Sequence, residues 1–177
     1  MELSCRILLL IIAVAVAYTS CNSNKPLINT ETKESETITP CAENGMSDSN
    51  YFRASASATS SSISLAHEKA LASAKSELGK KIIDKTLASA NQYAAETGLS
   101  SKTTFTKDME LIANKAIDMM LKEISPTCEN YSETNSRYTA YISVEISRKT
   151  MIDKIYNLTV TDIPNLNKEK FKVILNK

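Results

Sequence analysis

The chain has 177 residues, a formal charge of +1, 42% hydrophobic residues and no tryptophan. Near-balanced charge, with no basic patch interleaved with aromatics, argues against nucleic acid as a partner. Three glycines and four prolines are few for a long all-β protein with many tight turns. The abundance of Ala, Ser, Thr, Lys and Ile suits helices combined with a small sheet.

The first informative segment is the run Arg6-Ile7-Leu8-Leu9-Leu10-Ile11-Ile12-Ala13-Val14-Ala15-Val16-Ala17-Tyr18-Thr19-Ser20-Cys21. Its apolar part, about 11 residues, spans roughly half of a 30 Å hydrocarbon core at 1.5 Å per residue. It therefore reads as the apolar region of a cleaved secretory signal rather than as a membrane-spanning helix. Two cleavage sites compete. Ala15-Val16-Ala17 is an A-x-A site that would release a soluble chain beginning at Tyr18. Cleavage after Ser20 would instead leave Cys21 as an acylated N-terminus, and Thr19-Ser20-Cys21 resembles the end of a lipobox. Two or three acyl chains give durable anchoring, whereas one is marginal at about 0.8 kcal/mol per buried CH₂. The lipoprotein reading divides the chain into a signal peptide (1–20), a polar tether (21–48) and one domain (49–177).

The tether is rich in Thr, Ser, Asn and Glu and buries too little apolar surface to offset its ordering entropy. Order is expected to start near Tyr51. Phe52, Ala54, Ala56 and Ala58 alternate with Arg53, Ser55, Ser57 and Thr59, which is strand periodicity with one small-residue face. The period then turns helical: Ser61 or Ser62 can cap a helix whose stripe runs Ile63, Ala66, Ala70, Ala74, Leu78, Ile82 and onward to Tyr93 and Ala94, with Gly98 as terminator. Gly79, which costs about 1 kcal/mol relative to alanine, is expected to mark a bend or a close approach. A second amphipathic helix is expected over 107–124, ended by Pro126. Arg137 to Ser147 alternate as the clearest strand, and 127–132 can pair with it as a hairpin around Glu133-Thr134-Asn135-Ser136. A third helix is expected over 149–158, and a short tail helix carries Phe171, Ile174 and Leu175. The expected class is thus α+β: a small antiparallel sheet of about three strands packed on two or three amphipathic helices, one of them long and alanine-rich.

Two regions resemble the LPP-twenty-like family of small bacterial envelope lipoproteins. The first is Phe52-Arg53-Ala54-Ser55-Ala56-Ser57-Ala58 followed by Ala66, Ala70, Ala74 and Leu78, a small-residue strand running into a helix with alanines every four residues. The second is Tyr138-Thr139-Ala140-Tyr141-Ile142-Ser143-Val144-Glu145-Ile146-Ser147, similar to the family's closing strand. Ala54 and Ala56 stand where glycines often sit in that first strand. The resemblance implies a compact α+β domain tethered to the envelope, and it carries no catalytic residue over.

Chemistry is sparse. His67, the one histidine, lies beside Glu68, but helix neighbours point about 100° apart and no third group completes a relay. Met109, Met119 and Met120 follow helical spacing and read as core. No phosphate-binding glycine loop or nucleophile elbow is present, so no catalytic residue, metal site or cofactor is expected. Outside the signal peptide the cysteines are Cys21, Cys41 and Cys128. In an oxidising compartment Cys41 and Cys128 either bridge, closing a loop worth roughly 3–5 kcal/mol in the chain-entropy model, or stay as two small buried hydrophobes. On the second sheet face Tyr141, Ser143 and Glu145 form a candidate interaction surface, unless a helix covers it. The expected function is a non-enzymatic, lipid-anchored protein of the outer membrane facing the periplasm, held by its lipid and working as a structural or interaction module with a protein partner. The competing expectation is a lipoprotein that binds a small ligand or glycan, which an apolar cleft with convergent polar groups would favour.

Overall fold

The computed structural model describes residues 39–177. The signal peptide, Cys21 and the first part of the tether lie outside the described residues. Elements follow in the order β1 (Tyr51–Ser60), α1 (Ile63–Thr97), α2 (Lys102–Met120), β2 (Pro126–Thr134), β3 (Arg137–Ser147), α3 (Arg148–Asp162) and α4 (Lys168–Leu175). The three strands form an antiparallel sheet in the order β1-β3-β2, so this is an α+β fold. The long connection between β1 and β2 contains both large helices and allows β3 to insert between them.

Local chemistry explains the elements. Alternation in β1 and β3 places Phe52, Ala54, Ala140, Ile142, Val144 and Ile146 on one buried face. Asn135 and Ser136, with φ of 51° and 59°, make the two-residue turn of the β2–β3 hairpin. Two positive-φ residues in a row are what a type I′ turn requires, and its twist matches that of the strands. Ser62 caps α1 by accepting from the Leu65 amide, and Gly98 ends it at a φ of 64°, as its position implied.

α1 is 35 residues long, about 52 Å, and runs unbroken through Gly79. Its buried stripe steps by four from Ala66 through Ala70, Ala74 and Leu78 to Ile82. Each four-residue step overshoots a full turn by about 40°, so the buried side winds round the helix. α1 packs on β1 and β3 of the sheet and on α2 and α4. Ala66, Ala70 and Ala74 belong to the same buried core as Ala54 and Ala140 of the sheet. At the far end Tyr93, Phe105 and Phe171 cluster with ring centroids 5.3–6.3 Å apart.

Of the two expectations for Gly79, a bend is absent, since α1 runs through it unbroken, and its neighbour is the Ile117 side chain of α2 rather than another backbone. A Cβ built there would lie 3.6 Å from Cγ2 of Ile117, an ordinary van der Waals contact. Gly79→Ala should therefore raise stability by about 0.4–1 kcal/mol, read as a higher urea midpoint with unchanged slope. A fall would mean that α1 and α2 sit closer than described.

Three segments differ from expectation. α2 starts five residues early and ends at Met120, because Leu121 turns inward and Pro126 opens β2 instead of closing the helix. α3 continues past Leu158 to Asp162, since the buried Thr159 hydroxyl donates to the Ile155 carbonyl at 2.8 Å and so hides its polarity inside the helix. The last part of the polar tether is folded: residues 39–50 pack on the sheet, with a 3-10 turn at Glu43–Gly45 and Cys41 and Gly45 buried. Among the described residues no helix is long and apolar enough to cross a membrane.

Candidate functional site

The outer face of the sheet pairs Arg53 with Glu145, Ser55 with Ser143, Ser57 with Tyr141 and Thr59 with Thr139. Between Pro126 and Cys128 the β2 ladder slips by one residue. This bulge brings Thr127 and Cys128 together beside Ser143. Cys128 then bonds Cys41, and the bridge pins residues 39–50 as a strap across this face. Cys41 Sγ also lies 3.6 Å from the Tyr141 carbonyl oxygen; a disulfide sulfur has no proton to donate, so this is packing.

The strap is built residue by residue. Gly45 lies directly on Ser55, where a Cβ would come within 2.3 Å of the Ser55 hydroxyl, so only glycine fits. The Ser47 hydroxyl accepts from the Arg53 amide at 2.9 Å and donates to the Arg53 carbonyl at 3.1 Å, acting as a one-residue fourth strand on the β1 edge. Asp48 accepts from the Asn50 and Tyr51 amides at 2.7 and 2.8 Å. The Asn50 amide, the Arg53 guanidinium and the Tyr51 amide together hold its carboxyl below the usual aspartate range. Arg53 joins Asp48 to Glu145, whose Oε2 it meets through Nε at 2.6 Å. From α1, Lys81 reaches round the β1 edge to the carbonyls of Gly45 and Arg53, at 3.1 and 2.7 Å.

The predicted interaction trio is divided by this strap. Ser143 is completely buried, 3.1 Å from the Thr127 hydroxyl. Glu145 is committed to Arg53. Tyr141 and Glu145 keep partly open positions with the buried Ser143 between them, so Tyr141, Ser143 and Glu145 do not form one water-facing surface. What stays open on this face is its hydroxyl-rich half, with Ser57 and Thr59 exposed on β1 and Asn130 and Ser132 exposed on β2. A helix was the cover considered from the sequence. A strap does it instead, and its signals were Cys41, Gly45 and the Asp48-Ser49-Asn50 turn inside a polar stretch.

His67 pairs with neither Glu68 nor a metal cluster. Its Nδ1 lies 2.8 Å from the Tyr131 hydroxyl, which in turn donates to Glu129 at 2.9 Å. Burial, then Glu129, pushes the Tyr131 phenol above its ordinary pKa, the opposite of what a nucleophilic phenolate needs. The trio links α1 to the overhanging β2. Among the described residues no three His, Cys, Asp or Glu side chains are grouped to hold a metal. A separate cleft of about 300 Å³ opens at the far end of α1, lined by the apolar Tyr93, Leu99, Phe105, Ile163 and Leu166 and by the polar Ser101, Thr104, Asp108 and Asn165.

Fold and site together define a small α+β domain whose outer sheet face is half closed by a disulfide-pinned strap. Comparison with family models, curated proteins and solved structures gives no match for this chain.

Proposed function

We propose that the chain is a lipid-anchored bacterial envelope protein of the LPP-twenty-like kind, held at the outer membrane through Cys21 and facing the periplasm. Its domain serves as a structural or protein-interaction module without catalysis. The observation that carries this reading is the Cys41–Cys128 bridge. A disulfide of this kind belongs to an exported protein. It also accounts for two of the three cysteines beyond the signal peptide, leaving Cys21 as the odd thiol for acylation.

Cys21→Ser should move the protein from the membrane to the soluble fraction, and the wild-type N-terminal peptide should carry acyl mass on Cys21. A wild-type mature chain that begins unmodified at Tyr18 would overturn the anchor. The cleft beside Tyr93 and Phe105 favours the second reading, a small-ligand or glycan site. Its volume lies at the lower end of ligand pockets, so the module reading ranks first. Titration with small amphipathic molecules and oligosaccharides, followed by NMR shifts at Thr104 and Leu166, separates the two.

A further inference from the structure

We infer that His67, Tyr131 and Glu129 form a copper(II) site, three donors at three corners of a square whose fourth corner is water. The inference does not depend on the lipid anchor.

The site is assembled from two elements. His67 stands in the first turns of α1, and Glu129 and Tyr131 alternate onto one face of β2. The imidazole and phenol rings lie near-parallel, 19° apart in plane, with His67 Nδ1 at the Tyr131 hydroxyl. Histidine and phenol are 64 positions apart in the chain, so no sequence neighbour announces a ligand set around His67. His67 and Glu129 are ordinary metal ligands. Tyr131 supplies a third donor, an anionic oxygen once its proton has left.

Three distances select the ion. Nδ1 of His67 lies 2.8 Å from the Tyr131 hydroxyl oxygen, which lies 2.9 Å from Oε2 of Glu129; Nδ1 and Oε2 are 3.8 Å apart. Donors about 2.0 Å from an ion at the corners of a square stand about 2.8 Å apart along an edge and about 4.0 Å across the diagonal. The two short contacts match edges and the long one matches the diagonal, with Tyr131 at the middle corner. A tetrahedral zinc site would instead set all three separations equal, at about 3.3 Å. Calcium and magnesium call for about six oxygen ligands or more. A tetragonal set of nitrogen and oxygen suits Cu²⁺ or Ni²⁺, and copper binds the more tightly of the two.

The charges agree. Among the described residues no lysine or arginine pairs with Glu129. Carboxylate and phenolate side by side repel each other, and a dication between them removes that repulsion. Copper thus takes the place of the Tyr131 hydroxyl proton, which leaves to solvent. His67 binds through its Nδ1 lone pair as the neutral imidazole with its proton on Nε2. No electron is transferred. His67 and Glu129 keep 29% and 40% of their side-chain surface open and Tyr131 is exposed, so water supplies the fourth corner. The bound ion clips β2 to α1.

The test titrates the full mature chain, its disulfide intact, with Cu²⁺ in a non-chelating buffer. The expected result is one tight equivalent of copper per chain. Its electron paramagnetic resonance should be tetragonal and coupled to one nitrogen, and a visible phenolate-to-copper absorption band should appear. Tyr131→Phe should abolish the band and His67→Gln the nitrogen coupling, each weakening binding at least tenfold. Glu129→Gln serves as a second disrupting variant of unchanged shape, and Glu68→Gln, beside His67 but outside the set, should bind like the wild type. The three side chains are partly exposed, so circular dichroism should stay unchanged in every variant. Zn²⁺ should bind more weakly than Cu²⁺. The absence of a tight equivalent, one unmoved by His67→Gln or Tyr131→Phe, a bound ion without the phenolate band, or tighter binding of Zn²⁺ would overturn the proposal.

Discussion

Phe171→Ala should lower the stability of the domain by about 3–5 kcal/mol, the cost of emptying a buried aromatic site. Its ring is fully buried, edge-on to Tyr93 at 5.5 Å and to Phe105 at 6.3 Å. α4 has only eight residues, too few to hold a helix in water without tertiary contacts. Three side chains dock it, Phe171, Ile174 and Leu175, while the Asn167 amide donates to the Tyr93 hydroxyl at 2.9 Å. Removing the largest of the three should therefore undock the whole C-terminal segment. Thermal melting should show a drop of the order of 10 °C, together with faster amide exchange across 168–175. A loss below about 1 kcal/mol would mean that α4 is not seated on the aromatic cluster in solution.

Replacing Cys41 and Cys128 together by serine should lower stability by about 4 kcal/mol, since the bridge closes a loop of 87 residues in the unfolded chain. Urea unfolding of the oxidised wild type and of the double variant measures this directly. Reduction of the wild type should reproduce it. A local effect should accompany the global one. Without the bridge, the strap is held by Ser47, Asp48 and Lys81 near one end, so limited proteolysis should cut near residues 42–46 long before the sheet unfolds. A loss under 1 kcal/mol with an uncut strap would show that those polar contacts suffice by themselves.

Much of this fold was legible because its strongest signals are local. The alternation of β1 and β3, the Ser62 cap, the Gly98 stop and the hairpin around Asn135-Ser136 each follow from a few neighbouring residues. The start of α2 escaped because Ser101 makes no side-chain cap and the first turn is rich in β-branched Thr. The sequence leaves open whether α1 bends at Gly79 or meets a neighbour there, because that neighbour, Ile117, lies 38 positions away. The candidate surface was misjudged for a related reason. Alternation correctly placed Tyr141, Ser143 and Glu145 on one face, but periodicity cannot say what lies above a face. The cover comes from about 100 residues earlier, in a segment whose polar composition resembles a linker. Its hydrogen bonds run to main-chain groups of β1, which no side-chain pattern announces.

The bridge also decides where a pull on the molecule is felt. Tension arriving from the N-terminal side reaches Cys41 and crosses a covalent bond into β2, which is laced along its length to the central strand β3. The strap, the Asp48 turn and β1 lie downstream of that junction and carry only the share that bypasses it. Under the proposed anchoring, the hydrogen bonds of the β1 edge would thus be shielded from traction, and the hairpin would take the strain.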